Sequence, residues 1–377
     1  MRLADALTGM PTYPFVRLAE EKRRLLDAGV DLIDFGMGEP REETPPFIRA
    51  ALAEALEPCS TYPAAEGLPE LREAVAAWVR RRFGTALEPH AQVLPTLGSK
   101  EAIFHLVPVL GGSVVVVPAP AYPVYERAAV FAGREVVELP LSEEHGFLPD
   151  LAAVPETIWR ETAVLWLNYP NNPTAATAPL ELYERAAALA REFDFVLASD
   201  EAYSELYFGG TPPVSALQLG DLRNVAVLNT LSKRSSMPGY RSGFVAGDPE
   251  LIALLKRYRP NVGVAPQAFV QRAAVAAWGD EAHVDAVRAT YRAKRDVLLP
   301  VLEEHGLRSA GGDATFFLWL DAGPQADLLA ARLLEAGIVL APGSFFGDAG
   351  RGYLRLALVP TLAECERAAE RLETLLD

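Results

Sequence analysis

The segment 230–241 (TLSKRSSMPGYR) holds the densest set of groups able to do chemistry. Hydroxyls at Thr230 and Ser232 flank Lys233, and Arg241 follows eight residues later. An apolar run at 225–228 precedes it, so the pattern predicts a buried strand with Lys233 just past its end. A lysine amine held there can form a Schiff base with an aldehyde cofactor. The hydroxyls and the Arg241 guanidinium match the oxygens of a phosphate. A solvated loop with a few charges has the same composition, so the segment needs company before it means a site.

That company sits at other strand ends. Residues 199–203 (SDEAY) close an apolar run at 195–198. Asp200 can keep a pyridine nitrogen protonated, making the ring an electron sink, or it can cap a helix. Tyr203 can donate to a phenolate oxygen on the same ring. The loop 168–174 (NYPNNPT) is stiffened by its prolines. It either holds the Asn172 amide against that oxygen or is a plain Pro/Asn turn. Residues 98–102 (GSKEA) open a helix after a short strand, where backbone N–H groups and Ser99 form an anion site. Tyr122, in 118–123 (PAPAYP), can stack on a flat cofactor or belong to the core. Arg355 interrupts an apolar strand at 352–358, and a carboxylate ligand or a structural acid would satisfy it.

These side chains need a frame that brings strand ends together. Apolar runs at 113–117, 163–167, 195–198, 225–228 and 243–246 alternate with helical segments, the pattern of a mostly parallel sheet wrapped by helices. A helix at 15–28 stops at Gly29, a short strand spans 31–35, and helices follow at 45–57 and 69–83. After Pro266 the texture changes to long helices at 267–278 and 282–304, strands near 314–320 and 352–358, and a last helix from 361. That shift marks a second, α+β domain. At about 150 residues per domain, 377 residues suggest two or three. Polar residues gather at the C-terminal strand ends, the edge where open α/β sheets bind ligands.

Composition excludes other classes. Fifty acidic against 35 basic residues give a net charge of −15, which opposes nucleic-acid phosphates and anionic membranes. The stretch 102–125 has no charge, but Pro108, Gly111, Gly112, Pro118, Pro120 and Pro123 break it, so no single spanning helix is expected. It reads as a helix end, a buried strand and a proline-rich loop. Cys59 and Cys365 form no metal-spaced cluster or disulfide framework, which points to a reducing cytoplasm, with no metal. The opening residues carry charge and proline where a signal peptide needs an apolar core.

Taken in order, these motifs resemble the fold-type I aminotransferases of class I/II that use pyridoxal 5′-phosphate. The resemblance runs from Tyr13 to the last helix. It rests on 38–40 (GEP), 62–72 (YP…GLPELR), 98–100 (GSK), Tyr122-Pro, 171–174 (NNPT), 200–203 (DEAY), Ser232-Lys233 with Arg241, and Arg355. It implies a large α/β/α domain over 41–265 around a mostly parallel, seven-stranded type of sheet. A smaller α+β domain would cover 266–377, joined by an arm over 1–40. It further implies that Lys233 forms the Schiff base and shuttles a proton. Asp200 would pair with the pyridine nitrogen, Asn172 and Tyr203 would contact the phenolate oxygen, and Tyr122 would stack on the ring. Ser99, Lys100, Thr230, Ser232 and Arg241 would surround the phosphate. Gly38, Asn172 and Arg355 would hold the substrate. Tyr62 would reach in from the second subunit of a homodimer.

Within the family, the likeness is nearest to succinyldiaminopimelate aminotransferases, on 60–63 (STYP), 232–235 (SKRS), 238–248 (PGYRSGFVAGD) and 277–283 (AWGDEAH). This implies transfer from glutamate to N-succinyl-2-amino-6-ketopimelate. Another class I/II aminotransferase or a C–S lyase on the same fold is the alternative. A PLP-binding regulator would add a DNA-binding domain. A dinucleotide enzyme would need a third glycine after 36–41 (GMGEPR). One departure is Ala175-Ala176, where the family usually has glycine after NPT; an alanine there needs negative φ or bears strain, and a small loop shift is expected. For a large anionic substrate, Arg257, Arg259 and the 13–15 segment are candidate readers of the distal end.

Overall fold

The computed structural model describes residues 1, 5–10, 13–59 and 61–376. Ser60 of the STYP phrase lies outside the described residues, as do parts of the N-terminal stretch read above (2–4, 11 and 12). Among the described residues, thirteen strands form three sheets: β1 (Ile33–Asp34), β2 (Val93–Thr96), β3 (Val114–Ala119), β4 (Glu135–Pro140), β5 (Thr162–Asn168), β6 (Val196–Asp200), β7 (Val225–Thr230), β8 (Gly243–Gly247), β9 (Arg308–Ser309), β10 (Phe317–Asp321), β11 (Ile338–Val339), β12 (Ala341–Pro342) and β13 (Tyr353–Ala357). The large sheet has seven strands in the order β2-β8-β7-β6-β5-β3-β4. Strand β8 runs antiparallel to both neighbours and the remaining pairs are parallel.

The central strands form because their residues are branched and apolar without alternation, as burial on both faces requires. Strands β3, β5, β6 and β7 are buried along their whole length. One face packs Leu165, Leu197 and Val227 in one core with Trp78 of the helix Pro69–Phe83, and the other packs Val115, Trp166, Ala198 and Leu228. Gly84 ends the helix Pro69–Phe83 with φ of 74°, the left-handed cap expected of a glycine after a helix. The uncharged stretch 102–125 resolves into the end of the helix Ser99–Leu106, strand β3 and a loop. Among the described residues, no helix is long and apolar enough to cross a membrane.

Sequence reading did not find β4. Its residues alternate between Glu135, Val137 and Leu139 on one face and Val136, Glu138 and Pro140 on the other, and it lies at the sheet edge with both glutamates exposed. A search for continuous apolar runs passes over such a strand.

A third core joins the chain's two ends. Ile33 pairs with Ile338 and Asp34 with Val339, in parallel. Ile33 and Phe35 pack with Leu318, Leu320, Leu354 and Leu356. The small antiparallel sheet runs β12-β13-β10-β9, so β13 lies between two partners, with Arg355 opposite Trp319 on one side and Ala341 on the other.

Strand β7 is secured at its start. Asp248 is buried and caps the helix Pro249–Tyr258, accepting from Glu250 N at 2.7 Å on Oδ1. Its Oδ2 accepts from Asn224 N, just ahead of β7, also at 2.7 Å. Leu251 N donates to Oδ1 as well, at 3.4 Å, so replacing this cap leaves three donors unmet and Asp248→Ala is expected to cost about 2 kcal/mol. Thermal unfolding of the apoprotein checks this, and an unchanged melting temperature would refute it.

Candidate active site

Strand register gathers the polar residues. Asn168 ends β5 directly opposite Asp200, which ends β6, and Asp200 is opposite Leu228 of β7. Thr230 of β7 faces Gly243 of β8, and Gly243 faces Thr96 of β2, which leads into the Gly98 turn. Four strand ends and the turn after β2 therefore open onto one space. Arg355 closes it from the small sheet.

The result is a cavity of about 520 Å³. Its wall includes Gly38, Ser99, Lys100, Tyr122, Asn172, Asp200, Tyr203, Thr230, Ser232, Lys233, Arg241 and Arg355. Every residue that the resemblance assigned to catalysis, cofactor or substrate α-carboxylate lies there except Tyr62. Tyr62 is fully exposed and lines no part of this chain's cavity. Of the three candidate distal readers, the arm contributes Tyr13 and Phe15 to the wall. Arg257 is exposed and away from the cavity. Arg259 is buried as a structural group, donating to Ala65 O at 2.6 Å and Pro95 O at 2.8 Å and pairing with Glu101.

The amine of Lys233 donates to Gly38 O at 2.7 Å. It lies over the rings of Phe316 and Tyr203, 5.2 and 5.7 Å from their centroids. Burial pushes its pKa down to about 7; Arg355 and Arg241 push the same way, while Glu39 and Asp200 oppose them. A lysine so placed holds an appreciable neutral fraction near neutral pH and can take or give a proton. Asp200 moves the other way. Burial raises it to about 6, restrained by hydrogen bonds from Tyr125 and Ala202 N and by the Lys233 charge.

Arg355 is buried and lies 4.2 Å from the Phe317 ring centroid and 4.6 Å from that of Phe346. Its two terminal nitrogens donate to Asn172 Oδ1 and Gly36 O, each at 2.8 Å, while its Nε has no partner. No acidic side chain pairs with it among the described residues. The even choice left by the sequence, ligand or structural acid, thus turns toward a ligand. Asn172 is itself oriented by Asn168, whose Oδ1 accepts from Asn172 N at 2.9 Å and whose Nδ2 donates to Asp200 O at 2.8 Å.

The opposite end of the cavity suits a phosphate. The helix Ser99–Leu106 points its first N–H groups there, beside Lys100, Arg241 and the hydroxyls of Thr230 and Ser232. Gly98 has φ of 77°, and a Cβ on it would come within 2.8 Å of Arg241 Nη2. Only glycine lets the guanidinium approach the helix start. Burial lowers the Lys100 pKa, and the Arg241 charge adds to this, as between two cations sharing an anion site. Phosphate donors at one end and a buried carboxylate at the other match the chemistry of pyridoxal phosphate, a phosphate joined to a pyridine.

Sequence reasoning missed Asn168, Tyr125, Phe317 and Phe346, which also line the cavity. Each reads as core or turn, and only the three-residue spacing of Tyr122 and Tyr125 hinted at a shared face. It also expected a loop shift at Ala175. Ala175 sits at φ of 59°, left-handed, with its N–H on Asn171 O at 2.9 Å. Of the two alternatives it therefore takes the strained one, at about 1 kcal/mol.

Comparisons with known proteins agree with this geometry. The model of the family described as aminotransferase class I and II matches residues 30–372. An LL-diaminopimelate aminotransferase from Aquifex aeolicus (strain VF5) is 39% identical over 381 residues, covering 99% of this chain and 98% of the relative. A probable N-succinyldiaminopimelate aminotransferase from Thermus thermophilus matches with a TM-score of 0.88 and 35% identity, over 96% of this chain and 99% of that one. The aspartate aminotransferase from Thermus thermophilus with maleate matches with a TM-score of 0.90 and 32% identity over the whole of both chains. Buried lysine, carboxylate and arginine at one sheet edge and a family match over nearly the whole length lead to one conclusion: the chain belongs to the class I and II aminotransferases, which use pyridoxal phosphate.

Proposed function

We propose that this aminotransferase moves an amino group between glutamate and a keto acid of the diaminopimelate skeleton, in lysine and diaminopimelate biosynthesis. The observation that carries the reading is the paired placement of Lys233 and Arg355 in one cavity, a proton carrier beside a carboxylate fork. The cofactor supplies an aldehyde that holds the amino group and a ring that accepts the electron pair left on Cα.

The chain's own residues do the rest. Arg355 and the Gly38 backbone hold the α-carboxylate, so that the Cα–H bond stands within reach of Lys233. Lys233 Nζ would take the proton from Cα and return it two atoms further along, past the amino nitrogen, to the carbon of the former aldehyde. Asp200, ionised, would hold the ring nitrogen protonated, and Asn172 and Tyr203 would hold the ring's phenolic oxygen. Tyr122 would stack on the ring. Ser99, Lys100, Thr230, Ser232 and Arg241 would keep the phosphate in place as the substrates exchange. Tyr62 is fully exposed and lines no part of its own cavity, which supports a homodimer in which it completes the partner's site. Most of 41–265 then forms the larger lobe, and the remainder the smaller one.

The distal end of the substrate narrows the choice. All four cations of the described cavity wall are engaged in this scheme, which leaves no further cation there for a succinyl carboxylate. The one unassigned charged side chain of that wall is Glu39, which suits a free ammonium. This and the full-length likeness to LL-diaminopimelate aminotransferases favour the unacylated substrate over the succinylated one read from the sequence phrases. The succinylated form remains the second reading, on the Thermus likeness.

Lys233→Ala is expected to slow transamination by a factor of about 10³, the range of a lost general acid–base, with the cofactor still bound. Turnover at the wild-type rate would overturn the reading. Substrate choice is checked with 2-oxoglutarate as acceptor and a panel of donors: LL-diaminopimelate, its N-succinyl derivative, aspartate and phenylalanine. The free diamine should exceed the others in kcat/KM by at least about tenfold, the discrimination one charge pairing supplies. Faster aspartate turnover would defeat the substrate assignment and leave the aminotransferase class intact. Pyruvate release from cystathionine without an acceptor would favour a lyase.

A further inference from the structure

Tyr122 lies just before the helix Val124–Phe131, and Tyr125 lies in its first turn. Both phenols line the cavity, and their rings meet edge to face at 6.2 Å and 89°. Tyr125 is 1% exposed and stacks on Trp166 at 5.0 Å and 24°, which fixes its ring. Its hydroxyl donates to Asp200 Oδ2 at 2.8 Å. Asp200 Oδ1 accepts from Ala202 N at 3.2 Å. Among the described residues, no other side chain hydrogen bonds to this carboxylate.

We propose that Tyr125 is a positioning residue for Asp200, its hydroxyl holding the buried carboxylate ionised and aimed at the ring nitrogen of the bound cofactor. One helix start thereby supplies both the stacking face, through Tyr122, and the charge that tunes the ring. The proposal rests on the reading that Asp200 pairs with that nitrogen. The physical need is plain: a carboxylate without water becomes neutral unless donors favour its charge, and a neutral acid cannot keep the ring protonated. The other titratable groups facing Asp200 are Lys233, Tyr122, Tyr203 and Glu201. Glu201 is turned to Ser199 and Ala216 N, each at 2.9 Å, and does not hydrogen bond to Asp200.

The test is cofactor affinity against pH, measured by adding pyridoxal phosphate to the apoproteins of wild type, Tyr125→Phe and Asp200→Asn. Phenol loss raises the Asp200 pKa, so Tyr125→Phe should bind like wild type at pH 8.5. At pH 6.5 it should bind about tenfold more weakly, the size expected for a lost hydrogen bond to a charged group. Lys233 and the cofactor phosphate titrate alike in both proteins and cancel in the ratio. A loss equal at both pH values would mark Tyr125 as packing only and overturn the proposal, as would no loss at all. If Asp200→Asn binds like wild type at both pH values, the Asp200 reading itself falls and takes the proposal with it. If Asp200→Asn is impaired and Tyr125→Phe is not, the proposal alone fails. Should Tyr125→Phe not fold, 3,5-difluorotyrosine at position 125, a stronger donor of nearly the same shape, should tighten binding at pH 6.5. Unchanged or weaker binding there would overturn the proposal.

Discussion

Lys233 and Arg355 line one cavity away from bulk solvent, and two cations so confined repel each other. That repulsion, added to burial, brings the lysine amine near neutrality at physiological pH. The cost must be met by the surroundings. Gly38 O accepts from Lys233, Gly36 O and Asn172 accept from Arg355, and aromatic faces lie against both. The segment 36–38 comes from near the N-terminus, Lys233 from the end of β7 and Arg355 from β13. The chain must therefore close on itself before either cation has its partners, and the pairing of β1 with β11 is the covalently distant link that brings this about.

Anchors around the site hold that closure without entering it. Arg234, the neighbour of Lys233, points away from the cavity. It is buried against Trp278 and Trp78 and donates to Ala277 O and Glu281, each at 3.0 Å. Successive residues thus divide the work, one held reactive and one held fixed. On the N-terminal side, Glu42 pairs with Lys294 and accepts from Tyr291 at 2.8 Å, and Thr44 donates to Ser236 O at 2.6 Å. These contacts tie the segment after Gly38 to both the helix Ala282–Glu304 and the loop that follows Lys233. A buried ion pair such as Glu42–Lys294 gains little net stability against an apolar pair, but removing one partner is costly. It acts as a fixing point more than as a source of free energy.

Much of this was legible in the sequence because strand ends carry their chemistry in short local phrases. Buried strands announce themselves as apolar runs, and Asp200, Lys233 and Asn172 each follow one directly. Their convergence follows from a parallel sheet, whose strand ends face the same way. What escaped has a common cause: the residues look apolar or structural until a partner far along the chain is known. Tyr125 reads as a core aromatic because its hydroxyl partner lies 75 residues away. Phe317 and Phe346 read as packing, and become walls only because Arg355 stands over them. Arg259 misleads in the opposite direction, since its charge suggested a ligand while its partners are main-chain oxygens and Glu101. The left-handed Ala175 defies a residue-type rule because the surrounding hydrogen bonds of Asn171 fix that turn.

The charge of the chain illustrates the same difference between sums and places. A net charge of −15 describes a surface that repels polyanions, yet the cavity wall carries Lys100, Lys233, Arg241 and Arg355 against Asp200 and Glu39. Screening over about 8 Å at physiological ionic strength separates the two regimes. A small anion meets the acidic surface at a distance but is bound by the few cations within reach of its oxygens. Desolvation makes those contacts stronger than any on the surface. The excess acid outside then costs the site little, while the two carboxylates inside are decisive: Asp200 must stay charged for the ring, and Glu39 shifts the Lys233 amine back toward its protonated form. Function here depends on where a few charges lose their water, which the total does not measure.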